Sequence, residues 1–130
     1  MQMMLRSLLA LFALLVVNVR HGNAANEDGP ISYGCDEVVV IGRVQTVNYA
    51  DLTSADDLLG SGRYDVRVSI KRVLRGKEGR RVVPAHVLSH GQMREDVDFW
   101  LVLTPEPEGG YVIRSGNLTS APYRLASRCR

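Results

Sequence analysis

The sequence lacks several features that would assign it to a large functional class. It has only two cysteines, and neither belongs to a CxxC pair or to a Cys/His spacing typical of zinc sites. It also has no GxxxxGK[ST] phosphate loop, no internal repeat and no heptad pattern. These absences exclude the zinc-finger, P-loop and coiled-coil classes. We expect no bound metal, no cofactor and no catalytic residue set.

The sequence also lacks an apolar run long enough to cross a membrane, which takes about 20 residues. Its longest run, over 7–17, follows the single early charge of Arg6 and is followed by the small residues Gly22 and Ala24. A positive start, a short apolar middle and a small-residue cleavage site are typical of a secretory signal peptide. We therefore predict that residues 1–24 are a cleaved signal, with an uncleaved anchor as the alternative. The mature protein is expected to be secreted or periplasmic, without membrane insertion.

An excess of charge of one sign is missing once the signal is removed. The full chain has 16 Lys and Arg against 14 Asp and Glu, and the signal takes Arg6 and Arg20 with it but no acidic residue. The mature chain is therefore electrically balanced. Without a strong positive field, the sequence predicts no nucleic-acid partner.

The remaining chain is long enough for one domain and too short for two. Residues 25–34 are polar and glycine-containing, which predicts a flexible lead-in before a single domain over 35–130. The two cysteines, Cys35 and Cys129, lie near the ends of that domain. In an oxidising compartment such a pair is expected to form a disulfide, with a reactive or metal-binding thiol pair as the alternative.

The hydrophobic pattern predicts an all-β domain. Val38 to Ile41 form a continuous β-branched run, and Phe99 to Leu103 form a second apolar run, as expected for strands covered on both faces. Apolar and polar residues alternate over 64–71 and the alternation slips at Arg72, which predicts a β-bulge. The loop 48–62 has at most one helical turn. Five strands are predicted, at about 35–49, 64–74, 80–92, 98–106 and 109–118.

Five strands, a bulge and almost no helix favour an OB-like Greek-key barrel with at most one short helix. A β-sandwich is the alternative, although it usually has about seven strands. Gly42 within the first strand predicts a bulge or a sharp bend there.

Three segments carry a family resemblance: CDEVVVIGRV, RYDVRVSIKRVLRGKEG and MREDVDFWLVLTPEPEGGYVI. Their order resembles the netrin-like modules, which are OB-fold barrels that include the N-terminal domain of tissue inhibitors of metalloproteinases. The resemblance spans about residues 35–116 and implies a secreted OB-like barrel that binds a partner. The inhibitors of this family chelate zinc through an N-terminal cysteine, whereas Cys35 lies inside the predicted mature chain.

We expect a non-enzymatic binding or inhibitory module with a protein partner in the envelope or the extracellular space. The predicted contact surface combines the loop 49–62, with Tyr49 and Asp51, and the basic turn after the second strand. Its cationic side chains also fit the solvated face and turn of a strand. Their replacement by alanine is expected to weaken partner capture and to leave thermal stability nearly unchanged. The four cations are Arg75, Lys77, Arg80 and Arg81.

Two other functions stay open on the sequence alone. A small hydrolase or metal-dependent enzyme would use His86 and His90 with the nearby carboxylates of Glu95, Asp96 and Asp98. On one strand the two histidines would lie roughly 13 Å apart, too far to hold one ion. A structural protein of the cell envelope is the third possibility.

Overall fold

The computed structural model describes residues 30–129, so the predicted signal peptide and most of the lead-in lie outside the described residues. All regular elements in this range are β-strands, and the possible helical turn after Ser54 is instead a pair of turns. No helix capable of spanning a membrane is found within the range described. The strands are β1 (Ile31–Tyr33), β2 (Val38–Asp51), β3 (Gly62–Arg75), β4 (Val82–Ser89), β5 (Phe99–Pro105), β6 (Tyr111–Leu118) and β7 (Leu125–Ser127).

Five of the strands close into a barrel in the order β2-β3-β4-β6-β5. Strands β2, β3 and β4 are joined by hairpins, and the next strand, β5, returns to pair with β2, which is the Greek-key arrangement. The barrel is completed by a short parallel contact between β4 and β6, at Ala85–Tyr111 and His86–Val112. The predicted fold class, an OB-like Greek-key barrel, is confirmed.

Bulges bend the long β2–β3 hairpin so that β2 can also pair with β5. Lys71 and Leu74 are extra residues on β3, on either side of Arg72, where the sequence predicted a bulge. Gly42 lies at the bend, and a Cβ there would be 2.7 Å from the carbonyl oxygen of Ser69. The close approach of the two backbones therefore requires glycine at this position.

The apolar run of β2 serves two cores, as its pattern predicted. Val38 and Val40 point into the barrel, whereas Val39 points outward and packs with Trp100 and Val102 of β5. The outer core is covered by a two-stranded parallel ribbon of β1 and β7. Sequence analysis missed this ribbon, because it placed residues 31–33 in the lead-in and predicted no strand after residue 118.

A disulfide joins the ends of the two ribbon strands, and a buried carboxylate joins the ribbon to the barrel. Cys35 and Cys129 form the predicted disulfide, with their Cα atoms 5.0 Å apart. The Glu37 side chain is only 4% exposed and accepts hydrogen bonds from Arg114 at 2.6 Å and Arg128 at 3.1 Å. These contacts join the start of the domain to its last strand.

Candidate functional site

The two regions predicted to form one contact surface lie at opposite ends of β3. The β2–β3 loop, residues 52–61, precedes Gly62, and the basic turn, residues 75–81, begins at the last residue of β3. The 14 residues of β3 lie between them, which is a path of roughly 40 Å along the strand at about 3.3 Å per residue. The structure therefore divides the predicted surface into two.

Three of the four predicted cations at the basic end of β3 reach solvent freely. Arg75, Lys77 and Arg81 are exposed, and none forms an ion pair with any residue in the described range. Arg75 donates one hydrogen bond, to the carbonyl of Leu74 at 2.6 Å. These three side chains can meet an anionic partner without breaking an ion pair.

Arg80, the fourth cation, is part of the fold. Its guanidinium donates to both carboxylate oxygens of Glu78, at 2.8 and 2.9 Å, and lies 5.9 Å from the ring centroid of Tyr111. The Tyr111 hydroxyl donates to the same carboxylate at 2.5 Å. The hydrogen bonds from Arg80 and Tyr111 lower the pKa of the Glu78 carboxyl to about 2, although burial opposes them. Arg80 is therefore less suited to a partner than the sequence predicted.

The β2–β3 loop is held in shape by its own hydrogen bonds. The Leu52 amide donates to the Ser61 carbonyl at 2.8 Å, and the Ser61 amide donates to Thr53 Oγ1 at 3.1 Å. The Thr53 amide donates to Asp51 Oδ1 at 2.9 Å. Hydrogen bonds from Thr53 hold the pKa of the Asp51 carboxyl below its usual range. Asp51, a predicted binding residue, thus also fixes the first turn of the loop.

The far side of the loop is braced by Asp57 and His90. The Ser61 hydroxyl donates to Asp57, and the Leu59 amide donates to the same carboxylate at 3.2 Å. His90 Nδ1 contacts the Gly60 carbonyl, which can only accept a hydrogen bond, and lies 3.5 Å from the Ser61 hydroxyl. The cluster of Asp57, Ser61 and His90 braces the loop.

Large apolar side chains are exposed on and beside this braced loop. Leu58 is 97% exposed and Leu59 is 77% exposed, and we call these two residues the leucine tip. Leu52, Tyr49 and Leu88 beside the base of the loop are each at least half exposed. Large apolar side chains are thus exposed both on the loop and at its base. Sequence analysis included this segment in its contact surface but did not single out the leucines.

Tyr49, the other predicted binding residue of this end, forms the base of the loop. Its ring lies 4.8 Å from that of Tyr64 between centroids and covers Gly62 so closely that a Cβ there would be 2.1 Å from the ring. Half of the Tyr49 side chain stays exposed. The tyrosine pair therefore offers a fixed aromatic surface next to the loop.

The structure separates the two histidines of the enzyme hypothesis. His86 Nε2 lies 3.4 Å from the Glu106 carboxylate, at the end of β5, whereas His90 braces the β2–β3 loop. Within residues 30–129, no group of three or more His, Cys, Asp and Glu side chains is placed to hold a metal ion.

The three carboxylates of that hypothesis have separate partners. Glu95 accepts from a backbone amide of β2 at 2.7 Å, and Asp96 pairs with the neighbouring Arg94 at 2.7 Å. Asp98 pairs with Lys71 at 2.7 Å and with Arg43 at 3.1 Å. Hydrogen bonds from Lys71 and then Arg43 keep the pKa of Asp98 below its usual range. Glu95 and Asp98 therefore attach the loop before β5 to the barrel, whereas Asp96 pairs within the loop.

A groove that sequence analysis did not identify crosses the outer face of β3 and β4. It has a volume of about 320 Å³ and ends at the β5–β6 turn, with Glu106 and Gly110. Arg67 and His86 line it from the two strands. The alternation in β3 places Arg67 on the outer face, but the groove also needs the β5–β6 turn, which only the barrel closure brings close.

No family model, curated protein or solved structure matches the chain.

Proposed function

We propose that the protein is a secreted or periplasmic, non-enzymatic module that binds a protein partner through the leucine tip. The observation that carries this proposal is the exposure of Leu58 and Leu59, at 97% and 77%, on a loop fixed by internal hydrogen bonds. Burying two leucine side chains contributes about 1.5–3 kcal/mol each. A loop that is already ordered loses less conformational entropy on binding.

The charges of the loop indicate the partner's chemistry. Asp51, Asp56 and Asp57 lie in the segment 48–62, which contains no Lys or Arg. The partner is therefore a protein with an apolar pocket for the leucines and cationic side chains at its rim. Because exposed charges are screened by salt, capture should weaken as ionic strength rises.

The resemblance to netrin-like modules supports the same proposal, since that family includes secreted OB-fold barrels that inhibit by binding another protein. Cys35 is bonded to Cys129 here, and the predicted cleavage site lies ten residues before Cys35. The proposal therefore uses the loop as the contact and does not use a zinc-chelating terminus.

A capture experiment tests the leucine tip. The purified protein is immobilised, exposed to an envelope extract and to culture medium, and the retained proteins are identified by mass spectrometry. The double variant Leu58→Ser/Leu59→Ser should lose a partner that the wild type retains. Val82→Ser is the matched control, because Val82 is 51% exposed but pairs with Ser69 toward the other end of β3.

Equal capture by the wild type and the double leucine variant contradicts the proposal. If the wild type, the double leucine variant and Val82→Ser all retain the same envelope component at the same stoichiometry, the structural role is favoured instead. Stoichiometric zinc in the purified protein, lost on His86→Ala, would favour the metal-dependent enzyme.

The basic turn is a second surface for the same proposed function. Its three unpaired cations suit an acidic part of the partner or of a second partner. The triple variant Arg75→Ala/Lys77→Ala/Arg81→Ala should weaken capture with little change in thermal stability. Unaltered capture removes this surface from the proposal.

A further inference from the structure

The groove on the outer face of β3 and β4 contains an arginine that has no ion pair. Arg63 pairs with Asp65 at 2.9 Å, and the neighbouring His86 Nε2 lies 3.4 Å from the Glu106 carboxylate. Arg67 also lines the groove, is exposed, and forms no ion pair with the residues described. The guanidinium of Arg67 is therefore the arginine of the groove that a ligand's carboxylate can meet without breaking an ion pair.

Apolar groups line the rest of the groove. Val47 is the extra residue of a bulge in β2, and 55% of its side chain is exposed. Pro84 pairs with Arg67 in the β3–β4 register and presents an exposed ring. Tyr111 forms part of the wall where β6 begins. An unpaired guanidinium therefore lies beside an apolar surface.

The walls of the groove come from rigid elements. Arg67 and Pro84 lie in strands that pair over eight consecutive positions, from Gly62–Ser89 to Ser69–Val82. Gly110 fixes the third side, because a Cβ there would lie only 3.2 Å from the Pro84 carbonyl oxygen. The volume, about 320 Å³, is at the small end of the range for small-molecule sites, which is about 300–1,000 Å³.

We propose that this groove binds a small organic acid, with its carboxylate on the Arg67 guanidinium and its apolar body against Val47 and Pro84. A guanidinium offers a planar pair of N–H donors that matches the two oxygens of a carboxylate. The groove is distinct from the leucine tip, so the proposed acid binding does not depend on the proposed function.

Titration of the purified protein with benzoate tests the site, with benzamide as the uncharged probe of the same shape. In two-dimensional NMR spectra, benzoate should shift the Arg67 Nε–H signal and the backbone amides of Ala85, His86 and Gly110. Benzamide should bind roughly tenfold more weakly, which corresponds to about 1.4 kcal/mol. Equal affinity for the two probes, or shifts confined to other parts of the chain, would overturn the proposal.

The substitution Arg67→Gln should remove the preference for benzoate. Arg72→Gln is the matched control, since Arg72 is an exposed arginine of the same strand outside the groove. Retention of the preference in Arg67→Gln, or its loss in Arg72→Gln, contradicts the assignment of the carboxylate to Arg67. Unchanged amide spectra away from the groove show that each variant is folded.

A peptide terminus carries the same chemistry as a free acid, and N-acetylphenylalanine distinguishes the two sources. If it binds at least as tightly as benzoate and depends on Arg67 in the same way, the natural ligand is a chain terminus. If benzoate binds more tightly, the ligand is a free acid. Both results require the carboxylate to lie on Arg67.

Discussion

At the residue scale, the buried carboxylate of Glu37 is the most consequential side chain of the described fold. Burial alone would raise the pKa of this carboxyl, but hydrogen bonds from Arg114, Thr104 and the Gly34 amide outweigh it and leave the pKa at about 2. Because the ordinary value is 4.5, the folded state binds the proton less tightly than the unfolded state does.

This difference predicts a stability that depends on pH. The contribution of Glu37 is fully present above the unfolded pKa of about 4.5 and is lost as the pH falls toward 2. Its size is on the order of 3 kcal/mol, taken from the separation of the two pKa values. The free energy of unfolding of the wild type should show this loss when it is measured in urea at intervals of about one pH unit between pH 6 and pH 2.

Glu37→Gln should be destabilised by about 3 kcal/mol at pH 7 and should lose most of that pH dependence. Asp36→Asn is the control, because it removes the same charge from the exposed neighbouring residue. It should keep the wild-type stability at pH 7. A Glu37→Gln protein as stable as the wild type at pH 7 would show that the buried ion pair is not what holds the ribbon of β1 and β7.

Arg80 is the second residue where the structure changes an expectation. Arg80→Ala removes the cation from a carboxylate, Glu78, whose side chain is only 8% exposed, and should lower the stability of the fold. Arg81→Ala, an exposed cation without an ion pair in the described range, should stay within about 0.5 kcal/mol of the wild type. Thermal and urea unfolding of the two variants, measured side by side, decide between these roles. Equal stabilities of the two variants would mean that Arg80 does not stabilise the fold and is as available to a partner as Arg81.

At the element scale, the barrel depends on the bend in β2. Gly42→Ala places a methyl group 2.7 Å from the backbone oxygen of Ser69, so β2 and β3 must move apart. The expected cost is about 2 kcal/mol.

Gly91→Ala is the control, because no atom lies within 4 Å of the added methyl group. Circular-dichroism melting curves should show a clear fall for the first variant and almost none for the second. Equal melting temperatures would mean that the bend does not need a glycine.

The strands were predictable from the sequence because their patterns extend over enough residues. The alternation over 64–71 fixes which side of β3 faces the core, and the slip at Arg72 locates the bulge. The runs at Val38–Ile41 and Phe99–Leu103 indicated strands with both faces covered, which the two cores confirm. The cover itself was not predictable, because β1 and β7 have three residues each, too few for a periodic signal.

The candidate site was less predictable, because it depends on contacts between distant segments. Arg80 looked like a free cation beside Lys77 and Arg81, but it pairs with Glu78 two positions before it. The Tyr111 hydroxyl that holds the same carboxylate comes from more than thirty positions further along the chain. Arg67 looked like an ordinary outward side chain, and its groove exists only where the β5–β6 turn meets β4. The division of the contact surface could have been inferred from the length of β3, since its two ends cannot be adjacent.

At the scale of the whole molecule, the described domain is a small barrel with three separate exposed features. The leucine tip and the basic turn lie at opposite ends of β3, and the acid-binding groove proposed above lies on its outer face between them. The disulfide and Glu37 fix the ribbon of β1 and β7 elsewhere on the barrel. A partner at the tip can therefore bind without disturbing the elements that stabilise the fold.

The proposed contact of the leucine tip with a protein partner can be tested by site-specific photocrosslinking in the native cell. A photoreactive amino acid replaces Leu58 in one protein and Tyr123 in another, since Tyr123 is 38% exposed and lies beside Trp100, away from both proposed contact surfaces. We expect one crosslinked partner at position 58 and none at position 123. The same crosslinked species at both positions, or no crosslinked protein at position 58, would contradict the proposal.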